Sequence, residues 1–252
     1  MISLAVEGAI AIATMSRPPV NAINDEWITR LGRILDEVES GESVAVLWIR
    51  SSQRVFCAGA DLELMRSRFD SEAGRAKMIG FTRRMQEVYA RVEASGIVSI
   101  AEIGGAAMGG GMELALACDL RVVADAAKIG LPEARLGLLP AGGGTQRMTR
   151  ICGDGVARRL ILGAEVVGGA EAVTLGLAHW VAPAADLEAT TRAIAQRIAD
   201  LPRGALAECK HCIAAALDPK QNGFEVELAG SARLLAATQT QRRVRQFLDK
   251  QK

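Results

Sequence analysis

The residues best able to do chemistry in this chain are two carboxylates beside glycine-rich loops. Glu113 stands in GGMELALAC, a helical stretch beginning near Gly110 that is apolar on every side except at this carboxylate. A helix apolar all round is a buried one, and an ionised glutamate is almost never buried without a partner. Desolvation raises the pKa of such a group toward neutrality, where a general acid or base works best. The alternative is an exposed glutamate on a frayed turn. Glu133 follows Pro132 in LPEARLGLLP, 20 residues later. Taken singly it is an ordinary acid at a helix N-terminus, favoured by the helix dipole. On successive strand–loop–helix units, however, the two carboxylates can project into one crevice, position a water and move protons.

The glycines point to the same region. Ten of the 26 (104, 105, 109, 110, 111, 130, 137, 142, 143 and 144) fall within residues 104–144. GGAAMGGG (104–111) joins an apolar strand to the helix carrying Glu113. This is either a tight turn alone or a seat for an anionic oxygen, because helix-opening N–H groups lack internal partners and lie at the positive dipole end. FCAGADLELM (56–65) is a second loop-to-helix transition, with Asp61 as its cap. Two N–H donors from different loops can make an oxyanion hole.

Other chemistries lack their residues. Neither the dinucleotide pattern G-x-G-x-x-G nor the P-loop is met, and G-x-S-x-G and S-x-x-K are missing. His179 and His211 are the only histidines, too few for a three-histidine metal site. Cys209 and Cys212 form a CxxC, but inside the continuous helical pattern ALAECKHCIAAAL and with no second ligand pair, so no metal is expected. With 30 basic and 29 acidic residues and only 4% aromatics, the chain is not built for nucleic acid. No charge-free apolar run approaches the ~18–20 residues of a membrane span, and the first residues lack a basic leader region. Five cysteines, an odd number lying mostly in apolar segments, suit free thiols in a reducing compartment, so the expected location is cytoplasmic.

The elements that must position these groups follow from periodicity. Residues 2–14 read as two short strands and 26–39 as a helix capped by Asn24 or Asp25. Strands follow at 44–50, 97–103 and 120–125. A helix over 71–94 carries Met78, Phe81, Met85, Val88 and Val92 on one face, a stripe that core packing explains fully. A short helix lies at 110–118 and another within 131–138. From 143 onward helices dominate, at 143–152, 154–162, 169–175, 186–199, 203–217 and 222–236. Recurring strand–loop–helix units indicate an α/β fold with largely parallel strands, followed by a helical tail in one integrated unit.

FCAGADL, GGAAMGGGMELALACDLRVVAD and LPEARLGLLPAGGGTQRMTR together strongly resemble the crotonase (enoyl-CoA hydratase/isomerase) superfamily. The similarity continues through RRLILGAEVVGGAEAVTLGLAHWV and covers most of the chain from Arg17 to about Val181. The resemblance implies a spiral core of ββα units (residues 1–190) and a C-terminal α-helical trimerisation region (191–252), with trimers often paired as hexamers. It implies an acyl-CoA thioester as substrate, with coenzyme A part of the substrate and no separate cofactor. By motif, the N–H groups of Ala60 and Gly110 form the oxyanion hole, Glu113 activates water and Glu133 supplies a proton. Substrate contacts are implied at Ala22, Ala58, Ala60, Asp61, Leu62, Gly109, Gly110, Pro132 and Ala141. The far end of the acyl chain is expected against residues 62–92, with Leu64, Met65, Phe69, Met78 and Phe81 as lining.

Having both glutamates favours an enoyl-CoA hydratase over a Δ3,Δ2-enoyl-CoA isomerase, whose relatives typically keep one; a silent acyl-CoA-binding subunit is the alternative of another class. The chain departs from the family pattern at Glu102, where a small apolar residue is usual, and at Ala141, where a glycine is usual. Pro19 and Glu63 occupy positions where lysines often meet coenzyme A phosphates. Arg17, Arg66 and Arg68 are the nearest replacements, and the basic tail (Arg242, Arg243, Arg245, Lys250, Lys252) is either a solvated face or a further phosphate contact.

Overall fold

The computed structural model describes residues 1–249; Lys250 and Lys252 of the basic tail lie outside the described residues. The main sheet has six strands in the order β1-β2-β3-β4-β6-β9: β1 (Ile2–Glu7), β2 (Ile10–Met15), β3 (Val46–Ser51), β4 (Val98–Ile103), β6 (Leu120–Ala124) and β9 (Trp180–Ala182). β1 and β2 pair antiparallel as a hairpin and the other neighbours are parallel. A second sheet, β5-β7-β8, is made of β5 (Ala107–Met108), β7 (Lys128–Gly130) and β8 (Val166–Gly168). All six residues of β4 are buried, its polar Ser99 and Glu102 included, as befits a central strand covered on both faces.

The chain crosses between the sheets once per turn of a spiral. β3 leads through Cys57 to α2 (Leu62–Arg66), β4 through β5 to α4 (Gly110–Ala117), and β6 through β7 to a 3-10 turn (Glu133–Leu136). Cys57 bridges Ala107, and Ala107 pairs with Ile129, so three consecutive turns stack in register. Counting three residues on from each of these positions gives Ala60, Gly110 and Pro132. The stacking therefore sets three loop-to-helix transitions side by side. Small residues permit it: a Cβ on Gly111 would stand 2.3 Å from the Cys57 carbonyl oxygen.

α1 (Asp25–Glu39), capped by Asn24, buries Trp27, Leu31, Ile34 and Leu35. α3 (Glu72–Ala94) buries Phe81, Met85, Tyr89 and Val92 and packs against α1 and α4. α5 (Gly144–Leu162) is interrupted at Gly153 (φ +81, ψ 163), the boundary expected between the helices at 143–152 and 154–162. α6 (Gly169–Thr174) and α7 (Leu187–Ala199) complete the core, and α8 (Arg203–Ala215), α9 (Gly223–Ala236) and α10 (Thr238–Asp249) form the tail. The short strands β5, β7, β8 and β9 were not expected as strands. Two or three residues are too few to show an alternation, and their pairing partners are remote in sequence. No helix among the described residues is long and apolar enough to cross a membrane.

Candidate functional site

One cavity gathers most of the sequence-selected residues. Ala58, Ala60, Leu62, Gly109, Gly110, Glu113, Pro132, Glu133 and Ala141 all line it. Ala60 lies just before the Asp61 cap of α2 and Gly110 is the first residue of α4, and their N–H groups donate to no acceptor among the described residues. They lie close together, since a Cβ on Gly110 would come within 3.6 Å of the Ala60 nitrogen. Gly59 (φ +96) passes so near that a Cβ there would stand 3.0 Å from the Met108 carbonyl oxygen and 3.2 Å from the Gly110 nitrogen. Only glycine takes that turn without strain. Tyr89 is wholly buried and donates to the Gly110 carbonyl at 2.9 Å, which fixes the opening turn of α4 from behind.

Glu113 is 1% exposed. Gly144 N–H donates to its Oε1 at 2.8 Å, and the Gly142 N–H lies near enough to favour the ionised carboxylate as well. Burial pushes its pKa up to about 7. The Gly144 and Gly142 donors and the Arg147 charge oppose that rise, and Glu133 adds to it. Glu133 heads the 3-10 turn, half-buried, and its pKa is raised by burial. Its Oε2 is buried without a hydrogen-bond partner among the described residues, and its Oε1 faces Gly109, where a Cβ would stand 3.0 Å away. Both carboxyls are thus shifted toward their protonated forms, Glu113 by burial and by the neighbouring Glu133, and Glu133 by burial.

The remaining wall is apolar. Met65, Met78, Phe81, Thr82 and Met85 line it from α2 and α3, and Leu136, Leu138 and Leu139 from the segment after Glu133. Of the five residues expected there, Met65, Met78 and Phe81 take part. Leu64 and Phe69 do not, Phe69 being 48% exposed. Ala22 and Asp61 are likewise outside the lining. The Ala22 carbonyl accepts from Arg17, and Asp61 caps α2 by accepting from Glu63 and Leu64 N–H while pairing with Arg17 at 2.7 Å. Arg68 pairs with Asp25 at 2.6 Å and Arg66 with Glu63 at 2.5 Å, so all three candidate phosphate contacts carry acidic neighbours.

Sequence reasoning passed over Asn21, Tyr89 and Arg147. Asn21, buried at φ +53, donates to Ser51 and to the Phe56 carbonyl and so anchors the loop before Ala60. A polar residue in the PPVNAIN turn was the only trace of this. Glu102 is buried on β4, with Arg50 Nε 3.3 Å from its Oε1 and its Oε2 unpartnered among the described residues. Cys209 and Cys212 sit on α8, and no cluster of metal-ligating side chains occurs among the described residues.

Comparisons with known proteins agree with the geometry. A family profile described as enoyl-CoA hydratase/isomerase matches residues 5–252. A probable enoyl-CoA hydratase of Bacillus subtilis (strain 168) is 40% identical over 176 residues, covering 70% of this chain and 67% of the relative. A short-chain-enoyl-CoA hydratase of Clostridium acetobutylicum is 34% identical over 199 residues, covering 78% and 74%. The crystal structure of an enoyl-CoA hydratase from Geobacillus kaustophilus HTA426 superposes with a TM-score of 0.93 at 29% identity, covering 99% of this chain and 94% of that one. The stacked turns, the paired glutamates and these matches agree: the chain is an enzyme of the enoyl-CoA hydratase/isomerase (crotonase) family.

Proposed function

We propose that the chain is an enoyl-CoA hydratase that adds water across the 2,3 double bond of a 2-enoyl-CoA to give a 3-hydroxyacyl-CoA. The observation that carries this reading is the placement of Glu113 and Glu133 on one cavity with the unpaired N–H groups of Ala60 and Gly110. The thioester oxygen accepts from those two N–H groups, each worth about 3–4 kcal/mol to the enolate-like transition state. Glu113, ionised, takes a proton from water as its oxygen bonds to C3. The π electrons shift toward C2 and the thioester oxygen, and protonated Glu133 delivers its proton to C2. The pair starts with its proton on Glu133 and ends with it on Glu113, and the reverse dehydration runs from that second state.

The cavity wall suits an uncharged apolar acyl chain: it carries methionines, leucines and Phe81, and among the described residues its only ionisable side chains are the two glutamates. No separate cofactor is required, because coenzyme A arrives with the substrate. Residues 1–190 act as the spiral core and 191–252 as an assembly region. In support, Ile213, Leu217, Phe224, Leu228 and Leu235 of the tail are 61–80% exposed, more apolar surface than a lone chain usually leaves uncovered. A homotrimer or a pair of trimers would cover it.

Loss of the enoyl absorbance of crotonyl-CoA and longer 2-enoyl-CoAs tests the reading. Hydration by the purified chain supports it. Isomerisation of 3-enoyl-CoAs without hydration would overturn it in favour of an isomerase.

A further inference from the structure

Arg147 is a buried charge that the catalytic reading leaves without a task. It lies on the first turn of α5, 7% exposed, beneath the loop that grips Glu113. Its Nη1 donates to the Gly142 carbonyl at 3.0 Å, and its Nε donates to Glu93 on α3 at 3.0 Å. Gly143 (φ +107) runs directly over the guanidinium: a Cβ there would stand 2.3 Å from Nη1. The same three-residue loop offers the Gly142 and Gly144 N–H groups to Glu113. One side chain thus ties the loop's carbonyl to α3 while its charge faces the carboxylate on the loop's other side.

We propose that Arg147 is a positioning residue for Glu113. It holds the 142–144 backbone in the orientation that aims two N–H groups at the carboxylate, and it supplies the positive charge that favours the ionised form. The other groups facing Glu113 do not supply that charge. Glu133 on the 3-10 turn is acidic, and the Tyr89 hydroxyl on α3 is held neutral by burial. The catalytic consequence rests on Glu113 being the water-activating base, whereas the ionisation of Glu113 can be read without any turnover.

The test is an NMR titration of protein labelled with 13C at the glutamate side-chain carboxyls, the Glu113 signal being assigned by its loss in Glu113→Gln. Arg147→Gln keeps a donor for the Gly142 carbonyl but removes the charge, and it should raise the Glu113 midpoint by about one unit. Arg147→Lys should recover most of that shift. In hydration assays the Arg147→Gln rate should fall about 5-fold at pH 7 and recover by about pH 8.5, because a one-unit rise cuts the ionised fraction from about a half to about a tenth. A packing role alone would lower the rate equally at every pH and leave the midpoint in place, and that result overturns the proposal. If the Arg147 variants do not fold, Glu93→Gln decides, since Glu93 is half-exposed. Freeing Arg147 from its second carboxylate should lower the Glu113 midpoint, and an unmoved midpoint overturns the proposal. A shifted midpoint in a chain that hydrates no enoyl-CoA would refute the hydratase reading and leave the role of Arg147 standing.

Discussion

Gly144 N–H donates to Glu113 Oε1 over 2.8 Å, joining the first residue of α5 to the one carboxylate of α4. That bond holds a glutamate in place where almost no water reaches it. The loop that makes the bond has no room for side chains. A Cβ on Gly142 would stand 2.5 Å from Glu113 Oε2 and 2.6 Å from Met85 Cε. Gly142→Ala should therefore turn the carboxylate away from its water and lower kcat about 100-fold with little change in KM, a size typical of a misplaced catalytic group. Steady-state kinetics across an enoyl-CoA series check this; a variant within 3-fold of the parent would show that the contact is slack.

Glu113 also makes stability depend on pH. Its folded pKa of about 7 lies above the ordinary 4.5, so the native state keeps a proton that the unfolded chain has released. Stability contributed by this group therefore falls as pH rises from about 4.5 through 7, and the full cost stands above that window. Glu113→Gln should then stabilise the protein by up to about 3 kcal/mol at pH 8.5 and far less at pH 5. Urea unfolding at both pH values measures the difference. An equal effect at the two would contradict the assignment.

Glu102 is a second buried acid, with no place in the proposed reaction. It is 5% exposed with one oxygen unpartnered among the described residues, and burial raises its pKa while Arg50 opposes the rise. The sign is the same: its cost to stability grows as pH rises above the ordinary value. Arg50 keeps Glu188 as a partner at 2.8 Å when Glu102 is removed. Glu102→Leu should leave thermal stability at neutral pH unchanged or raised by about 1–2 kcal/mol, because the buried acid's desolvation cost is removed while Arg50 keeps a carboxylate partner in Glu188. A loss of more than about 2 kcal/mol in calorimetry would mean that the pair contributes net stability.

The acyl wall makes a prediction about substrates. Among the described residues its only ionisable side chains are Glu113 and Glu133, so a carboxylate at the far end of the acyl group would be buried beside two acids with no lining cation among those residues. kcat/KM for an enoyl-CoA ending in a carboxylate should fall at least about 100-fold below that of an apolar chain of equal length. Comparable values would mean that the tail leaves the cavity for solvent.

Much of this site was legible in the sequence for a physical reason. A lone glutamate in an apolar helix is conspicuous, and so are clustered glycines; burial and close backbone approach are what each signifies. Ala60, Gly110, Glu113 and Glu133 are accordingly all on one cavity. The second sheet was not legible, because β5, β7 and β8 span two or three residues each and are defined by partners more than twenty residues away. Arg147 was hidden for a related reason. Its hydrogen bonds go to a loop carbonyl and to Glu93 on a different helix, and nothing in the local pattern TQRMTR distinguishes it from a surface arginine. Ala22, Asp61, Leu64 and Phe69 were placed by motif or by apolarity within a segment, and neither reports which way a side chain turns.

The central claim, that the two glutamates divide the proton transfers of hydration, is tested most directly by 2-enoyl-CoA hydration rates of Glu113→Gln and Glu133→Gln, with substrate affinity measured alongside. Both variants should lose at least about 1,000-fold in kcat while binding the thioester as the parent does, since the Ala60 and Gly110 donors remain. Either variant retaining more than a tenth of the parent rate would contradict the account.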